Sequence, residues 1–98
     1  MEALTVSALS NRLTPVFARH QVRKAVLFGS VAKGTSTARS DIDLLVDSGL
    51  KGLRFVGLLE DVQNAAGMEV DLLDVTHVEK GSPIEREIAD TGIVIYEK

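Results

Sequence analysis

The chain has no cysteine and no tryptophan, and only two prolines and one tyrosine among its 98 residues. Without cysteine there is no disulfide framework and no thiolate metal site, which fits a reducing compartment such as the cytoplasm. No apolar run approaches the roughly 20 residues that a membrane-spanning helix needs. Residues 1–20 also lack the basic start and apolar centre of a signal peptide. Nor is there an excess of positive charge. Eleven Lys and Arg are scattered among fourteen Asp and Glu, for a net charge of −3 and a pI near 5.3. Gripping a nucleic-acid backbone needs a clustered basic surface, so the expected partner is a basic protein or a single nucleotide, with no nucleic acid and no membrane.

What remains is a chain that is 45% hydrophobic and 26% charged, enough for one modest core and one domain over residues 1–98. Val6, Leu9, Leu13, Val16 and Phe17 recur at helical spacing. They predict a helix over 6–19, capped by Thr5 or Ser7 and kinked or broken at Pro15, where an interior proline costs roughly 3 kcal/mol. Residues 24–28 are apolar without alternation and read as a central strand covered on both faces. A single helical turn from Ser30 to Lys33, ended by Gly34, and a polar loop through Ser40 follow. Asp41 to Asp47 alternates as a second strand, with Asp41, Asp43, Leu45 and Asp47 on one face.

Residues 53–66 predict a second long helix stopped by Gly67, and Met68 to Leu73 a third strand. Ser82-Pro83-Ile84-Glu85 is a capping box with proline at the first helical position, starting a helix that runs to about Asp90. Ile93 to Tyr96 closes the chain as a fourth strand. The expected architecture is α/β (α+β): a small mixed sheet of about four strands with helices on one face and an acidic face left open.

The chemistry concentrates between Leu27 and Asp47. Gly29-Ser30 ends the first strand, ten residues follow, and Asp41-Ile42-Asp43 opens the second. Two aspartates two apart on a strand leave the same face, and adjacent carboxylates repel at a cost that burial raises. A divalent cation removes the conflict, because Mg²⁺ takes one or two carboxylates and completes its octahedron with water and phosphate oxygens. Asp71 adds a third carboxylate downstream, on the face shared with Glu69.

Gly29-Ser30, ten residues, then Asp41-x-Asp43 resembles the nucleotidyltransferase signature of the DNA polymerase β-like superfamily. In so short a chain it is most similar to the minimal nucleotidyltransferases, which act as antitoxins to helical HEPN-domain toxins. The signature covers about a fifth of the chain, and the order of helices and strands extends the likeness over nearly all of it. The resemblance implies a polymerase β-like nucleotidyltransferase fold and a Mg²⁺-dependent enzyme, with two ions and ATP as substrate. AMP would pass to a tyrosine hydroxyl of the cognate HEPN ribonuclease toxin.

By the same resemblance Asp41, Asp43 and Asp71 would be the metal-binding and catalytic carboxylates, with Glu69 and Asp74 as lesser candidates for the third place. Gly29, Ser30 and Lys33, with Asp41 and Asp43, would bind the nucleotide. Relatives often carry Arg or Tyr where Val31 stands and Arg where Lys33 stands, and Arg39 and Lys24 are candidate substitutes for the missing charge. His20, His77 and Tyr96 receive no role, and Arg86 reads as solvated. Two other functions remain open: a binding module that silences the toxin by contact, and a nucleotidyltransferase acting on a small molecule or an RNA end.

Overall fold

Thr5 opens the first helix by accepting a hydrogen bond from Ala8 N–H at 3.0 Å. In the computed structural model, which describes residues 5–34 and 41–98, α1 then runs unbroken over Val6–Arg19. The expected break at Pro15 does not occur. Leu9, Leu13, Val16 and Phe17 of α1 are all buried, and full burial of such side chains stabilises by roughly 1.5–3 kcal/mol each, more than the lost backbone bond costs. Pro15 lies on the exposed side, and Thr14 does not start a second helix but donates its hydroxyl to Ser10 O at 2.7 Å.

The remaining elements are β1 (Lys24–Phe28), α2 (Gly29–Lys33), β2 (Ile42–Asp47), α3 (Leu53–Ala66), β3 (Val70–Asp74), α4 (Pro83–Thr91) and β4 (Ile93–Glu97). A single 3₁₀ turn, Val75–His77, follows β3. The sequence pattern did not anticipate it. Asp74 caps it through Thr76 N–H at 3.0 Å, while His77 Nδ1 accepts from Asp74 N–H at 3.1 Å.

The sheet order is β3-β2-β1-β4. β1 runs antiparallel to β2 and β4, and β2 runs parallel to β3 through the α3 crossover. Strand alternation sorts the faces. Ala25, Leu27, Ile42, Leu44, Val46, Val70 and Leu72 join the buried residues of α1 and α3 in one core. His20 Nε2 meets Asp61 Oδ2 at 2.7 Å and Arg12 donates to Ala66 O at 3.4 Å, tying α1 to α3. On the other face Asp43, Leu45, Asp71 and Leu73 share a side, and there α4 departs from the one-sided layout. Ile84 and Glu87 line a cleft with Asp43 and Asp71, and Ile88 lies beside Leu45. α4 carries no fully buried residue, and its half-buried Glu87 and Ile88 face the sheet.

Candidate functional site

The site forms where β1 ends and β2 begins. Phe28 pairs with Asp43 across the antiparallel ladder, and Asp43 pairs with Asp71 across the parallel one. In-register neighbours on adjacent strands project from the same face, so the two carboxylates stand side by side. Burial pushes the Asp43 carboxyl up to about 6, and the charges of Asp71, Glu87 and Asp41 push the same way.

Gly29 completes the corner. It has φ +78°, and a Cβ there would overlap the Asp43 carboxylate. Glycine is needed twice over, for the left-handed backbone and for the close approach. Its N–H donates to Thr91 Oγ1 at 3.0 Å, and the Thr91 hydroxyl donates to Glu87 O at 2.8 Å. The backbone N–H of Gly29 is thereby engaged within the protein, and its missing side chain is what lets the Asp43 carboxylate come so close.

Asp43, Asp71 and Gly29 therefore meet as the spacing predicts, with half-buried Ser30 next to Gly29 in α2. Asp41 lies just before β2, exposed, and acts on Asp43 less strongly than Glu87 does. Among the described residues no group of three His, Asp or Glu side chains stands ready to hold a metal ion. The two paired carboxylates nevertheless suit a hard cation such as Mg²⁺, which needs only one or two from protein. Lys33 is exposed at the end of α2.

The lesser candidates take other positions. Glu69 is exposed ahead of β3. Asp74 points to the core side and is buried there. Its burial alone would raise its pKa, but hydrogen bonds from Ser48 Oγ (2.6 Å), Thr76 N–H, Thr76 Oγ1 (2.8 Å) and Ser48 N–H outweigh that and hold it at about 2. It is a structural carboxylate. Lys24 pairs with Glu97 at 3.8 Å at the end of β1 away from Gly29, so it does not replace the missing phosphate charge. Arg39 lies outside the described residues. Tyr96 packs against Phe17 with ring centroids 5.5 Å apart, and His77 packs edge-on against Phe55.

Sequence reasoning found α4 but missed its place beside the site. Glu87 lines the cleft of Asp43 and Asp71, Thr91 holds Gly29, and Arg86 lines a second cleft with Lys33. The i, i+4 spacing of Glu87 and Thr91 placed them on one helix face, but nothing local in the sequence said that this face meets the strand ends.

No helix among the described residues is long and apolar enough to cross a membrane. The chain is 32% identical over 72 residues to a Methanocaldococcus jannaschii protein provisionally named a protein adenylyltransferase, covering 71% of this chain and 77% of that one. It superposes on a structure provisionally described as a minimal nucleotidyltransferase with a TM-score of 0.74 and 26% identity, over 95% of this chain and 98% of that one. A chain from the complex of a tri-AMPylated Shewanella oneidensis HEPN toxin with its MNT antitoxin shares the fold at a TM-score of 0.68 and 18% identity, over 96% and 74%. A toxin–antitoxin crystal structure with AMP-PNP does so at 0.73 and 22%, over 91% and 73%. The family described as Polymerase beta, Nucleotidyltransferase matches residues 11–98, and the chain, with paired aspartates beside a glycine turn, belongs to that family of nucleotidyltransferases.

Proposed function

We propose that the protein transfers AMP from ATP to a hydroxyl of a cognate HEPN toxin, a tyrosine in the first instance, and thereby silences it. The observation that carries this is the register of Asp43 beside Asp71 at the strand ends, with the Asp43 carboxylate packed against the glycine that ends β1. The names of the relatives support it: one is called a protein adenylyltransferase, and another is an antitoxin bound to an AMPylated toxin.

In the transfer, the acceptor oxygen forms a bond to the α-phosphorus as the bond to pyrophosphate breaks. Gly29 and Ser30 seat the phosphates at the strand end, and Lys33 lends positive charge from the end of α2. Asp43 and Asp71 would hold Mg²⁺, joined by Asp41 at the strand mouth, and up to two ions fit the expected chemistry. Once bound, the metal supplies Lewis-acid stabilisation of charge on the phosphates. Asp71 is exposed, and its carboxylate would take the acceptor's proton.

The second reading is silencing by contact alone, favoured by the absence of a ready three-carboxylate group among the described residues. Purified protein, labelled ATP, Mg²⁺ and the toxin separate the two. Transfer of label that Asp43→Asn and Asp71→Asn each abolish supports the enzyme. Neutralisation of the toxin without labelling, unchanged in both variants, supports contact.

A further inference from the structure

Two clefts meet at Glu87. One, of about 320 Å³, is lined by Phe28, Asp43, Asp71 and Glu87; the other, of about 410 Å³, lies between α2 and α4 and is lined by Lys33, Ser82, Arg86, Glu87, Asp90 and Thr91. The first is acidic, while the second is lined by two cations from different helices, Lys33 of α2 and Arg86 of α4. Thr91 joins them physically, since the residue that lines the second cleft also accepts the Gly29 N–H.

Arg86 makes no ion pair among the described residues, although Asp90 stands one helical turn on, where an Arg and an Asp commonly pair. Lys33 is likewise without an ion pair among the described residues. We propose that Arg86 is a specificity-determining residue that receives the terminal phosphates of the nucleotide from α4, across the cleft from Lys33, and so makes the protein prefer a triphosphate to a monophosphate. The inference rests on the nucleotidyltransferase reading.

Two arguments support it. A guanidinium offers a planar fork of donors that matches two phosphate oxygens, which the point charge of Lys33 cannot do. Val31, in the turn itself, is buried and apolar, so Lys33 is the one charge that α2 offers a phosphate tail and any second cation has to come from another element. Glu87 and Asp90 make the cleft a poor trap for a free anion. A tail tethered to a nucleotide already seated at Gly29 arrives at high effective concentration, and the fork then decides how many phosphates are preferred.

Titration calorimetry of ATP and of AMP in Mg²⁺, without toxin, tests this. Wild type should bind ATP more tightly than AMP. Arg86→Ala should reduce that ratio about tenfold by weakening ATP alone, and Arg86→Lys should restore part of it. Arg86 is exposed, so an unchanged thermal melt is expected of both variants. A ratio unaltered by Arg86→Ala, or equal losses for ATP and AMP, overturns the role of Arg86 and leaves the proposed function standing. Failure of wild type to bind either nucleotide overturns both.

Discussion

An added methyl group would strike the Asp43 carboxylate at Gly29, and this sets that turn apart from the other left-handed glycines. Gly67 also has positive φ, at the end of α3, but a Cβ there would meet nothing within 4 Å. Gly67→Ala should therefore cost only the backbone penalty, about 1 kcal/mol. Gly29→Ala pays that penalty and also displaces the Asp43 carboxylate, and should lose at least ~1 kcal/mol more. Urea unfolding of the two variants measures the gap, and equal losses would show that Asp43 does not lie against Gly29. At this scale the sequence was informative about which residues come together. Gly29 and Asp43 could be placed at one corner because Gly29 follows the apolar run of β1 and Asp43 opens that of β2, while Asp71 was matched through the family resemblance and the parallel register then set it beside Asp43. Asp74 was ambiguous. It is the last residue of β3, and strand parity turned it inward, to Ser48 and Thr76.

Among the elements, the ones with strong local punctuation were readable in full. α3 covers 53–66 and ends at Gly67 as its apolar spacing and glycine dictate, and α4 begins at the proline after Ser82. β3 starts two residues later than the apolar run suggests, because Met68 and Glu69 still belong to the turn out of α3. What local signals could not provide was the docking of α4, which depends on where β1 and β2 bring their ends. α4 is held by Ser82, whose hydroxyl accepts from Glu85 N–H at 3.2 Å, and by Glu85, which reaches back to Gly81 N–H rather than to Ser82. With no fully buried residue, the helix has little packing to spare and the cap counts for more. Ser82→Ala should cost about 1 kcal/mol and speed amide exchange across Pro83–Thr91 roughly fivefold, with α1 almost unchanged. Exchange rising equally in α1 would mean that α4 does not open as a separate unit.

For the molecule as a whole, two carboxylates set opposing pH trends. Asp43 titrates at about 6 in the folded protein against 3.8 ordinarily, so between those values the folded state binds the extra proton. Its contribution is unfavourable at neutral pH and that penalty is relieved as pH falls from about 7 toward 4. Asp74, held at about 2, acts the other way: its stabilisation is complete above 3.8 and is lost as pH falls below it toward 2. In EDTA the wild-type melting temperature, measured relative to Asp43→Asn, should rise as pH falls from 7 to 4. Asp43→Asn should be at least as stable as wild type at pH 7. A difference that stays constant across that range would mean that Asp43 is not strained by its neighbours.

The pairing of Phe17 with Tyr96 has a practical side. Tyr96 is the chain's one tyrosine and there is no tryptophan, so the ultraviolet emission of the protein comes from a ring wedged between α1 and β4. That ring sits on the core side of the sheet, opposite the aspartates, and Ser10 closes the same junction by donating to Ile95 O at 2.8 Å. Native fluorescence is therefore a gauge of whether the last strand is seated on the first helix. Occupancy at Asp43 can proceed without altering it, and following nucleotide by light requires a reporter installed on the other side of the sheet.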